Sequence, residues 1–158
     1  MVRLTSYLTG NVVILGIGNT LKLDDGAGVE VVRKLEILNT KYETNSKFQI
    51  LKYLDGGSAP ENLTGEIKKS KPDTLVIVDA VDFKGQPGEV RVIPEERVSD
   101  AGFTTHNMSM RTYINFLRED LPQLKVVIVG IQPKTVAFGE GLSPEVEKGV
   151  EEICTSFI

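Results

Sequence analysis

The chain holds one histidine and one cysteine among 158 residues, so any metal chemistry in it must draw most of its ligands from carboxylates. Three segments place polar side chains where an apolar run has just ended. Val12-Val13-Ile14-Leu15-Gly16-Ile17 leads into Gly18-Asn19-Thr20-Leu21-Lys22-Leu23-Asp24-Asp25-Gly26. Leu75-Val76-Ile77-Val78 delivers Asp79, and Thr104-Thr105-His106-Asn107 follows a fourth apolar segment. Open α/β sheets bind ligands beyond the carboxyl ends of their strands. Asp25, Asp79 and His106, one from each crossover, are therefore candidates to converge on one point. Two carboxylates and an imidazole suit a borderline divalent cation such as nickel or zinc, whereas magnesium prefers oxygen alone. Each residue also has a structural reading. Asp24 or Asp25 can cap the following helix, Asp79 can bond to loop amides, and His106 can be a hydrogen-bonded loop residue.

The elements that must position these side chains follow from periodicity. The apolar runs at Val12–Ile17, Leu75–Val78 and Lys125–Val129 suit strands buried on both faces. Phe48–Leu54, closed by Asp55-Gly56-Gly57, reads as a further strand. Val90–Ile93, after Gly85-Gln86-Pro87-Gly88, suits an edge strand paired through a tight connection. Ala27, Val31, Val32, Leu35 and Leu38 recur at helical spacing, with Glu30, Arg33, Lys34 and Glu36 opposite. Ser58-Ala59-Pro60-Glu61 has the spacing of a capping box and predicts a short helix to about Lys69. Met108, Tyr113, Phe116 and Leu117 mark another helix, stopped by Leu121-Pro122. Ser143-Pro144 opens the last one. Alternating strands and helices predict a three-layer, doubly wound α/β fold, its mostly parallel sheet carrying one antiparallel edge.

Composition narrows the function. With 18 Lys and Arg against 22 Asp and Glu, the net charge is −4, which argues against a nucleic-acid partner. No run is long and apolar enough for a transmembrane helix, and Met1–Gly10 lacks a signal-peptide core. One cysteine makes no internal disulfide, so a cytoplasmic location is the default. Gly16-Ile17-Gly18 is not a dinucleotide fingerprint, because Leu21 stands where a third small residue is required. Cys154, beside Ile153 and Phe157, reads as core. No Gly-x-Ser-x-Gly elbow exists for a serine hydrolase, and Ser58 is explained by capping.

Six motifs in order carry a resemblance. They are Gly18–Gly28 with its Asp-Asp-Gly, Asp55–Asn62, Val78-Asp79-Ala80, Pro87-Gly88-Glu89, Thr104–Met108 and Gly130–Pro133. Together they resemble the hydrogenase maturation protease family, of the HycI type. The similarity runs from about Val12 to the last helix, leaving residues 1–11 as an N-terminal extension of open role to one domain spanning 1–158. The resemblance implies a twisted, mostly parallel sheet flanked by helices. It also implies a single cleavage near the C-terminus of the [NiFe]-hydrogenase large-subunit precursor, made after nickel insertion. By motif, Asp25, Asp79 and His106 fall on the family's metal ligands, and Asp55 falls on a further site acid. Asp25, Asp79 and Asp55 are then the expected catalytic carboxylates. The nickel is expected to arrive with the substrate and to serve as its recognition signal. Asp24, Asp55 and a metal-bound hydroxide stay open as the general base. A nickel-sensing chaperone that holds the precursor without cutting it would use the same three ligands.

Overall fold

The structure is a computed structural model that describes residues 2–38, 47–99, 101–103 and 108–157. Among these, six strands form a sheet with the order β2-β1-β3-β6-β4 and a short β5 beside β3. Strand β1 (Gly10–Ile17) pairs in parallel with both β2 (Phe48–Gly57) and β3 (Thr74–Asp82). Strand β6 (Lys125–Ile131) continues the parallel array beside β3. The edge strand β4 (Val90–Ile93) runs antiparallel to β6, so its partner is distant in sequence and is not reached through a tight connection. Strand β5 (Gly102–Phe103), which periodicity does not reveal, pairs antiparallel with Val81 and Asp82.

Four helices sandwich the sheet. Helix α1 (Ala27–Leu38) and α4 (Pro144–Thr155) cover one face, packing Ala27, Val31, Val32, Leu35, Val146 and Val150 onto Val12, Ile14, Val76 and Val78. Helix α2 (Thr64–Ser70) and α3 (Met110–Asp120) cover the other, with Ile67, Tyr113, Ile114 and Leu117 against Val13, Leu15, Leu75 and Ile77. The strands have no polar face because both faces are roofed. The capping box at Ser58 does not form. A 3-10 turn at Pro60–Leu63 begins from Ala59 with no side-chain cap, and Ser58 is exposed. No helix among the described residues is long and apolar enough to cross a membrane.

From β1 the chain crosses outward to β2 and then returns to the other side of β1 as β3. The crevice above β1 and β3 is thus a topological switch point, where ligands of such sheets bind. Two features tie the fold together at the opposite, amino edge of the sheet. The N-terminal segment buries Leu4 and Leu8 completely in the α1–α4 core, and Val2 N–H donates to Glu152 Oε2 at 3.0 Å. Residues 2–9 therefore belong to the fold. Across the molecule, the Glu95 carboxylate receives a two-pronged bond from Arg118 of α3 and lies 3.6 Å from Arg111. The Arg118 bond holds its carboxyl below the usual glutamate range.

Replacing Leu8→Ala removes a fully buried side chain and is expected to cost about 2–5 kcal/mol in chemical denaturation. An unchanged midpoint would return residues 2–9 to an appendage. For Glu95, the folded pKa lies below the unfolded one, so its contribution is complete above the unfolded value, about 4.3. That contribution fades as the pH falls through the folded value. Glu95→Gln should therefore cost about 1–3 kcal/mol at neutral pH, with the two proteins converging in acid. Urea unfolding across pH reads this directly, and a cost independent of pH contradicts the ion pair.

Candidate active site

Glycines decide how the segment after β1 reaches the crevice. A Cβ on Gly18 would lie 2.0 Å from the carbonyl oxygen of Asp25, and one on Gly26 would lie 2.9 Å from Thr20 Cα. A Cβ on Gly28 would lie 2.2 Å from the Val78 oxygen and 2.4 Å from the Ile17 oxygen. The turn therefore folds back onto its own strand, and the first turn of α1 rests on the backbone of β1 and β3. Asn19 tightens the turn. Its side-chain oxygen accepts from Leu21 N–H at 2.9 Å, and its own N–H donates to Asp25 Oδ2 at 3.2 Å.

Asp24 and Asp25 are both fully buried, yet they do different things. The Asp24 carboxylate accepts from Lys134 N–H (2.9 Å), Thr135 N–H (3.2 Å), Ser143 N–H (2.7 Å) and Ser143 Oγ (2.9 Å). Three of these donors converge on Oδ2 and one reaches Oδ1. Asp24 is a clasp on the loop after β6 and not a cap of α1. Ser143 takes the N-cap backbone position of α4, but its hydroxyl serves Asp24 instead of the helix.

Asp25 meets Asp79. Strand β3 runs on past Asp79 because Asp79 pairs with Gly130 and Val81 pairs with Phe103, so Asp79 sits inside the strand and is fully buried. Its Oδ1 accepts from Ala80 N–H at 2.8 Å. Burial pushes the Asp79 carboxyl well above its ordinary range, the Asp25 charge pushes it further, and only the Ala80 bond pulls back. Two acids thus share one desolvated crevice.

Asp55 stands apart from that pair. It faces Gly16 in register, on the far side of β1 from β3, so backbone spacing alone separates it from Asp79's strand by roughly 10 Å. Its side chain is 44% exposed, with Oδ1 accepting from Gly57 N–H at 2.9 Å and Oδ2 lying 3.6 Å from Arg33. His106 lies outside the described residues, three positions beyond Phe103. Among the described residues no three acidic, histidine or cysteine side chains form a metal-holding group. One positioning residue escaped the sequence reading. Buried Gln132 accepts from Phe83 and Gly85 N–H at 2.9 and 3.0 Å and donates to Asp82 Oδ1 at 3.0 Å. It pins the end of β3 to β6, and no local pattern announces partners so far away in the chain.

A doubly wound sheet with a buried acid pair at its switch point defines an α/β protein built to receive a ligand at its carboxyl edge. Comparison with known proteins gives the class a family. The HycI hydrogenase maturation protease family model matches residues 29–158. The hydrogenase 3 maturation protease of Escherichia coli (strain K12) is 36% identical over 142 residues, covering 89% of this chain and 85% of that protein. The crystal structure of a [NiFe] hydrogenase maturation protease HycI from Thermococcus kodakarensis KOD1 superposes with a TM-score of 0.77. It is 28% identical, and the match covers 93% of this chain and 89% of that one. A crystal structure of a hydrogenase 3 maturation protease gives a TM-score of 0.73 at 34% identity, covering 95% and 89% of the two chains. The chain belongs to the hydrogenase maturation protease family, a family of endopeptidases.

The two buried acids should respond oppositely to mutation. Asp24→Ala strips the acceptor from three backbone N–H groups and a hydroxyl, and should cost about 3–5 kcal/mol. Asp79→Asn keeps an oxygen for Ala80 N–H while relieving repulsion, so its melting temperature should equal or exceed that of the parent. Calorimetry on both variants tests the assignment. A strongly destabilised Asp79→Asn protein would refute the view of a strained pair.

Proposed function

We propose that this chain removes the C-terminal peptide of a [NiFe]-hydrogenase large-subunit precursor once nickel has been inserted. Asp25, Asp79 and His106 recognise the nickel that the substrate carries. The carrying observation is the Asp25–Asp79 pair, two buried acids of which Asp79 has its charge opposed by burial and by its neighbour Asp25. A divalent cation offsets both penalties, and an added imidazole makes the donor set suit nickel better than magnesium. Bound there, such a cation polarises a carbonyl and acidifies water.

The chain's own side chains divide the remaining work. Asp25 and Asp79 hold the substrate's metal centre at the crevice, and Gln132 and Asp24 fix the backbone beneath it. Asp24 is committed to the loop after β6, and Asp55, solvent-facing near the end of β2, is the proposed proton acceptor. The free thiol of Cys154 is buried, its pKa pushed by burial up to about 11, and takes no part. A cytoplasmic setting, where thiols stay reduced, belongs to the same proposal.

The test is a mass measurement on purified precursor, loaded with nickel or not. Release of one C-terminal peptide from the loaded form alone is expected. Equal cutting of the unloaded form removes the nickel-recognition reading, and binding without cutting favours a chaperone. His106→Ala should abolish single-turnover cleavage while barely shifting the melting temperature. A destabilised but active variant takes His106 out of the site.

A further inference from the structure

The turn that carries Asp25 also carries an exposed leucine, and the loop that Asp24 clasps carries the most exposed aromatic side chain among the described residues. Leu21 is 58% exposed and Phe138 is 86% exposed. The two segments are joined by a short parallel ladder. Gly139 N–H donates to the Leu21 oxygen at 2.9 Å, Leu23 N–H donates to the Gly139 oxygen at 3.0 Å, and Lys22 bridges Gly139. Lys22 and Gly139 form a single parallel bridge, and Leu21 and Phe138 are the residues that precede it on the two bonded segments.

This apolar pair stands on a stiff base. Asp24 N–H donates to Thr135 O at 3.1 Å, and the Asp24 carboxylate holds both ends of the loop. Beside the ladder lies a cleft of about 180 Å³ lined in part by Thr20, Leu23, Gly141 and Leu142. The other exposed apolar side chains are placed differently. Ile37 and Leu38 end α1 and Leu51 lies early in β2, away from the carboxyl edge, while Phe116 sits beneath the Lys68 ammonium at 4.1 Å.

We propose that Leu21 and Phe138 are the apolar anchors on which the protein substrate docks, a patch of its folded surface packing over the ladder while its nickel centre meets Asp25 and Asp79. The occupant follows from continuity. Leu21 is part of the Asp25 turn, so a polypeptide that reaches the acid pair passes over the ladder. Rigid aromatic anchors that lose little conformational freedom are the groups that dominate protein interfaces. This inference rests on the endopeptidase reading and deepens it by naming the surface that selects the substrate.

The experiment compares the parent with Leu21→Asp, Phe138→Asp and Phe138→Leu, using purified nickel-loaded large-subunit precursor as probe. Precursor binding, cleavage kinetics, melting temperature and oligomeric state are read on the same preparations. Each Asp variant should raise KM and the dissociation constant at least about tenfold, with kcat and melting temperature unchanged. Phe138→Leu should keep most of the affinity. Unchanged KM, a fall in kcat alone, or a dimer of the parent that Phe138→Asp dissolves would overturn the proposal. If the parent binds the precursor but does not cut it, the endopeptidase reading fails, and lost binding in the Asp variants still supports docking. If the parent neither binds nor cuts, both fail.

Discussion

Burial and the neighbouring Asp25 charge both oppose ionisation of Asp79, and folding alone gains nothing from placing two acids in one crevice. Much of the molecule can be understood as the means of holding Asp25 against Asp79 regardless. The glycines at 16, 18, 26 and 28 let backbone meet backbone where any side chain would intervene. Without that approach, α1 would ride higher over the sheet and Asp25 would sit away from β3.

Neighbouring hydrogen bonds resist relaxation of the pair. Asp24 binds the turn to the loop after β6, and Gln132 binds the end of β3 to the end of β6. Both side chains are buried, and each has several hydrogen-bond partners, which is the condition under which a buried polar group stiffens a structure instead of weakening it. Strain at the acid pair is thus supported by satisfied groups around it, the usual relation between a functional site and its scaffold.

Family membership fits this economy of means. In the proposed reaction the metal comes with the precursor, so the chain would need no complete metal cage of its own. Specificity then falls to the surface around the crevice, and the loops after β1 and β6, laced together by the Lys22–Gly139 bridge, form one side of it.

The amino-acid sequence by itself determined the elements, because an apolar run or a helical stripe is a local property. Strands β1, β3 and β6, helix α1 and the core position of Cys154 were legible in this way. So was the delivery of Asp79 by an apolar run, although β3 continues past it to Asp82, and the order of six motifs carried the family. His106 was legible only through that order, and it falls outside the described residues. Motif order singled out Asp25, but only tertiary structure showed that the adjacent Asp24 is a clasp on the loop after β6. Tertiary structure also placed β4 beside β6, drew Leu4 and Leu8 into the core, and left Ser58 uncapping while Ser143 turned to Asp24. Each of these depends on a partner scores of residues away, and hydrogen-bond partners and buried neighbours at that separation are set by packing, which no local periodicity encodes.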